Sequence, residues 1–162
     1  MTAITHEAPG DMNQSRAFGG RTVIAEKMTL SPYTIGRHEK LSHADELMRE
    51  HGLRYLPVLD GGKLVGVLLQ RELHSVEAIT GVDSRVDSIG AAMVRETYAV
   101  APGELVADVA RTMDDHKFGC AVVIDRGRVV GVLTATDALA LHCAGAAART
   151  VDGERLARTA IR

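Results

Sequence analysis

The residues best equipped for chemistry lie at Thr134-Ala-Thr136-Asp137, where the apolar run Gly131-Val-Leu passes into a stretch of helical character. At a first helical turn the backbone N–H groups lack intrahelical partners and carry partial positive charge, which suits an anion. Threonine hydroxyls there add hydrogen bonds for a phosphate. A carboxylate one turn in offers two acceptor oxygens, well matched to the paired hydroxyls of a ribose. On this reading Asp137 holds ribose, and Thr134 and Thr136 face phosphate. The same residues also spell a capping box, Thr-x-x-Asp, in which the side chains satisfy the helix's own orphan N–H groups. Taken alone, the motif allows both.

A second copy of the surroundings favours the first reading. Moving the sequence against itself by 65 positions aligns Met28–Leu73 with Met93–Ala138 without a gap, with twelve identities over 46 positions. Among them are Met28/Met93, Tyr33/Tyr98, Glu39/Glu104, His51/His116 and Gly66/Gly131. Internal repeats take precedence over other readings because each copy is one supersecondary unit. GVLTATDAL and GVLLQREL open alike, but Leu69, Arg71 and Glu72 stand where the later copy has Thr134, Thr136 and Asp137. The earlier copy starts a helix there without a hydroxyl, so the architecture does not require that cap.

The elements that position these residues follow from periodicity. Each copy begins with a short extended segment, Tyr33–Ile35 or Tyr98–Val100. A helical pattern follows, with Leu41, Ala44, Leu47, Met48 and His51 on one face, or Val106, Val109, Ala110 and Met113. Two β-rich runs come next, LPVLD-GG-KLVGVLL and AVVID-RG-RVVGVLT, and Asp60-Gly61-Gly62 reads as a tight hairpin turn. A second helix is predicted from about Glu72 and from about Asp137. The order β-α-β-β-α, twice, is an α/β (α+β) fold. One copy alone buries too little surface for comfort, so two copies packed with pseudo-twofold symmetry into one domain are expected. The divisions are a disordered tail at 1–20, repeat one at 21–80, a connector at 81–92, repeat two at 93–143, and a tail or frayed helix at 144–162.

Composition narrows the function classes. The net charge of −2 supplies no basic face for nucleic acid. No apolar stretch has the length of a signal peptide or a membrane span, and Cys120 and Cys143 read as reduced thiols. A cytoplasmic protein is expected, with Cys120 as a small buried hydrophobe. The histidines His6, His38, His43, His51, His74, His116 and His142 form no closed Cys/His metal spacing. His51 and His116 occupy equivalent helix ends, where an imidazolium interacts with the helix dipole. Catalytic triads, Rossmann loops and P-loops are not recognisable in the sequence, so neither an enzyme nor a catalytic cofactor is expected.

The paired β-α-β-β-α pattern, with Leu-Pro-Val-Leu-Asp60, Leu-Val-Gly66-Val and Gly131-Val-Leu-Thr-Ala-Thr-Asp137, resembles a tandem cystathionine-β-synthase (CBS) domain pair, the Bateman module, of the stand-alone bacterial type. The resemblance covers roughly Arg21 to Cys143. It implies a regulatory module that binds an adenosine-containing ligand (AMP, ADP or ATP, or S-adenosylmethionine) in a cleft between the copies. Carried onto this sequence, it places the ligand near Thr22, Arg54, Tyr55, Leu56, Val132, Thr134, Thr136 and Asp137, with Arg54 toward phosphate. The mirror pocket, at Leu69, Arg71, Glu72, Asp87, Gly119 and Cys120, departs from the pattern and reads as degenerate. The resemblance also implies a homodimer and a protein target whose identity the sequence does not give. The competing expectation is a ligand-free interaction module with vestigial pockets.

Overall fold

Strand-forming residues on either side of a two-residue turn build the same hairpin twice. The computed structural model describes residues 22–78 and 83–141. In the first hairpin β3 (Tyr55–Asp60) pairs antiparallel with β4 (Lys63–Leu69), and in the second β6 (Cys120–Asp125) pairs with β7 (Arg128–Thr134). Both turns have positive φ at their two central residues, +56° and +79° at Gly61 and Gly62, +49° and +77° at Arg126 and Gly127. That geometry matches the right-handed twist of the strands, and Gly61 adopts it with less strain than Arg126.

Each hairpin is extended by a short parallel strand, β2 (Ile35–Gly36) on β3 and β5 (Ala99–Val100) on β6. The helices α1 (Leu41–His51) and α3 (Val106–His116) precede the hairpins, and α2 (Gln70–Glu77) and α4 (135–141) follow them. The second helices therefore start about two residues earlier than periodicity suggested, because Leu69 and Thr134, the last residues of β4 and β7, lead straight into the first turn. On α1, Leu41, Ala44 and Met48 are buried and Leu47 packs beside them, as expected. His51 is exposed and instead stacks on Tyr33, with ring centroids 4.1 Å apart.

The two repeats exchange their opening segments. β1 (Thr29–Leu30), from the start of repeat one, pairs antiparallel with β7 of repeat two, Thr29 opposite Val132. Val94 is bridged in the same way to Val67 of β4, through two 2.9 Å backbone hydrogen bonds. The apolar cores follow the exchange. Ile24 is fully buried among Val106, Val109, Val123 and Leu133, whereas Ile89 is fully buried among Leu41, Met48, Leu56 and Leu68. Ile24 and Ile89 are themselves 65 apart, so the repeat continues upstream of Met28/Met93.

The exchange explains two of the identities. A Cβ on Gly66 would lie 2.7 Å from the Val94 carbonyl oxygen and 3.0 Å from the Met93 sulfur. A Cβ on Gly131 would collide with the Met28 sulfur. Each glycine admits the other repeat's lead-in, and each methionine fills the space. Glu39 and Glu104 perform another paired task, accepting the N–H of Gly36 at 2.8 Å and of Ala101 at 2.6 Å. A third apolar cluster, Val67, Cys120, Val122 and Val132 with Tyr55 and Leu69 against it, joins the two sheets across the pseudo-twofold axis.

Candidate functional site

The two candidate ligand positions lie at strand ends. Leu69 ends β4 and Thr134 ends β7, and the opposite residues in register are Tyr55 and Cys120. The residues just before β3 and β6, Arg54 and Gly119, complete the frame, because their carbonyls accept the N–H groups of Gln70 and Ala135 at 3.0 Å. Arg54, Thr134 and Thr136 thus occupy pseudo-twofold positions of Gly119, Leu69 and Arg71.

Around Thr134 the side chains are already engaged with one another. The Asp137 carboxylate accepts from the Thr134 N–H at 2.9 Å and from the Thr134 hydroxyl at 2.6 Å. The Thr134 hydroxyl in turn accepts from the Asp137 N–H at 3.3 Å. This is a reciprocal capping box. All three bonds converge on one carboxylate oxygen, Oδ2, and the threonine hydroxyl, which leaves Oδ1 as an acceptor for other partners. Thr136 and Arg54 are exposed, and Val132 is buried at the join between the sheets. The equivalent turn of α2 has no side-chain cap: Leu69 has no polar group there, and Glu72 lies 3.3 Å from its neighbour Arg71.

The mirror side holds an open cavity of about 120 Å³. Of the six residues expected there, Leu69, Arg71, Gly119 and Cys120 line it, and Glu72 and Asp87 do not. Asp87 is turned into its own loop, where its carboxylate accepts the Asp83 N–H at 2.8 Å. Its carbonyl accepts from Leu41 at the start of α1, just as the Thr22 carbonyl accepts from Val106 at the start of α3. The cavity also has walls that sequence reasoning missed, among them Val67, Val94, Tyr98 and Phe118. Val94 arrives with the exchanged lead-in, whereas Tyr98 reaches the cavity from repeat two's own core. The paired Met28/Met93 and Gly66/Gly131 identities were the available signal for that exchange.

Two expected ligand contacts are placed differently. Leu56 is fully buried with Val58 in the first core, because successive strand residues face opposite sides and Tyr55 takes the side toward the other repeat. Tyr55 itself lines the mirror cavity, its phenol against Gly119. A Cβ on Gly119 would stand 2.8 Å from the Tyr55 Cε1 and Cζ atoms and overlap its hydroxyl. Cys120 is buried as expected, and desolvation pushes its thiol up to about 12.

Among the described residues no group of three or more His, Cys, Asp or Glu side chains could hold a metal ion. Within the same residues no helix is long and apolar enough to cross a membrane. His142, Cys143 and the tails lie outside the described residues.

With this geometry in view, a protein-family model for the CBS domain matches residues 23–78 and again 86–142. Hypoxic response protein 1 of Mycobacterium tuberculosis is 27% identical over 117 residues, covering 72% of this chain and 82% of that protein. A solved structure of Hypoxic Response Protein I, with two coordinated zinc ions, superposes with a TM-score of 0.64 at 26% identity, covering 72% of this chain and 95% of the other. The CBS domain pair of protein MJ0100, solved with 5-methylthioadenosine and S-adenosyl-L-methionine, superposes with a TM-score of 0.66 at 25% identity, covering 74% and 98%. What is matched is a pair of CBS domains, one on each repeat. The chain belongs to the CBS-domain family, as a tandem pair whose two repeats exchange their opening segments.

Proposed function

We propose that the chain is a regulatory sensor that binds an adenosine-containing ligand on the Thr134–Asp137 side of the inter-repeat cleft. The observation that carries the proposal is the asymmetry between the two strand ends. Asp137 and Thr134 form a hydrogen-bonded pair at a helix start, whereas the equivalent Leu69 and Glu72 make no such pair. Asp137 Oδ1 accepts from ribose, the exposed Thr136 faces phosphate, and Arg54 supplies a cation at the rim. The MJ0100 pair, which was solved with two adenosine compounds, supports the ligand class at comparable coverage.

Isothermal titration of the full chain with AMP, ADP, ATP, S-adenosylmethionine and 5-methylthioadenosine tests this. Heat is expected with at least one of them, with affinity weakened about tenfold to a hundredfold by Asp137→Ala and unchanged by Glu72→Ala. No heat with any of the five, or affinity indifferent to Asp137→Ala, overturns the proposal. Regulation further requires that the ligand bind two states of the protein with different affinity. In the same proposal the chain is a cytoplasmic homodimer read by a protein target, and sedimentation with and without ligand measures the assembly.

The second reading is a ligand-free interaction module. It is favoured by the completeness of the capping box, since Thr134 and Asp137 satisfy each other without any ligand. The same titration decides between the two.

A further inference from the structure

We infer that Tyr55 closes the mirror pocket, so that each chain offers one ligand site and not two. The identity of the ligand rests on the reading of Asp137 above, but the closure stands on geometry alone. Tyr55 and Cys120 are pseudo-twofold equivalents at the first positions of β3 and β6, beside Leu69 and Thr134 respectively. They therefore occupy the same slot on the two sides of the sheet join, one with a phenol and the other with a small thiol. Gly119 makes room for the phenol, since any Cβ there overlaps it. The equivalent of Gly119 is Arg54, an exposed cation. Two exchanges, Tyr for Cys and Gly for Arg, thus set an aromatic ring against Gly119 where the counterpart pair is a small thiol and an exposed cation.

The space that remains on the filled side is about 120 Å³. Small-molecule pockets span roughly 300–1,000 Å³, well above the space left beside the phenol. The chemical losses fall on the same side: Leu69 lacks a hydroxyl, and Glu72 lies outside the cavity. Sterics and chemistry close the same pocket.

A thermal double-mutant cycle on the full chain tests the closure without any ligand. In the Tyr55 background, Gly119→Ala is expected to lower Tm by about 3–10 °C through overpacking. In the Tyr55→Leu background the same substitution is expected to lower it by much less. Equal losses in both backgrounds overturn the inference. If Gly119→Ala alone does not fold, recovery of a cooperative transition in Tyr55→Leu/Gly119→Ala supports it, and failure to recover overturns it. Titration of the unsubstituted chain with the five adenosine compounds supplies the stoichiometry. One equivalent per chain is expected, and two equivalents overturn the closure. No heat at all refutes the adenosine reading instead, and the thermal cycle still decides whether Tyr55 fills the pocket.

Discussion

Replacing Asp137 separates the cap from the ligand site, because the two roles draw on different parts of one carboxylate. Oδ2 accepts two hydrogen bonds from Thr134, at 2.9 and 2.6 Å, and the Thr134 hydroxyl accepts one from the Asp137 N–H. Loss of a helix cap costs about 0.5–2 kcal/mol, and the partly buried, charge-assisted bonds here place Asp137→Ala in the upper half, about 1–2 kcal/mol. For a chain of this size that is a fall in Tm of about 2–8 °C. Asp137→Asn keeps a carbonyl oxygen that can accept from the Thr134 N–H but removes the charge. It should therefore cost less stability while weakening the ligand about as much as Asp137→Ala. Glu72→Ala is the internal control, because its helix has no side-chain cap, and it should shift Tm by less than about 2 °C. Scanning calorimetry without ligand reads the cap, and titration reads the site. If Asp137→Ala leaves Tm unchanged, the capping bonds contribute nothing and the local geometry argued above is wrong. If Asp137→Asn lowers stability and leaves affinity intact, the carboxylate is a cap only.

Further outcomes follow from packing and burial. Gly66→Ala should cost more than Gly131→Ala, about 2–3 against 1–2 kcal/mol by urea denaturation, because Gly66 faces a backbone carbonyl held by two hydrogen bonds, while the atoms crowding Gly131 belong to the flexible Met28 side chain. Ile24→Ala should destabilise by about 2–5 kcal/mol and raise amide exchange first in β6 and β7, the other repeat's hairpin. Exchange raised first in β3 and β4 would contradict the exchanged cores. Burial raises the Cys120 thiol from 9.0 to about 12, which stabilises the fold fully below pH 9 and progressively less as pH rises toward 12, since the unfolded chain releases its proton first. Cys120→Ala should flatten the alkaline fall in stability. In a Cys143→Ser background, Ellman's reagent should react with the folded protein only at the rate of unfolding.

The repeat carried most of the fold in plain view. Twelve identities at a constant offset are enough to show two equivalent units, and the alternation of Val, Leu and Ile about Asp60-Gly61-Gly62 is enough to place the hairpins. The departure of Leu69 and Glu72 from Thr134 and Asp137 was legible for the same reason, because one copy acts as the reference for the other. The helix starts were less legible. A polar residue at a strand end serves equally as the last strand position and as a cap, so composition cannot separate them.

Side-chain direction and partnership needed the tertiary structure. Leu56 and Tyr55 are neighbours of similar apolar character, and only the sheet face decides that one enters a core and the other crosses to the second repeat. The linear order likewise suggests that Ile24 belongs to repeat one and Ile89 to the connector, whereas each completes the opposite core. Local periodicity therefore determined the elements, their order and the asymmetry of the two strand ends, because those depend on contacts within about ten residues. The exchanged lead-ins, the tyrosine set against Gly119 and the closing of one pocket depend on contacts between residues far apart in the chain, such as Val67 with Val94, Tyr55 with Gly119 and Thr29 with Val132, and these exist only once the two repeats have packed.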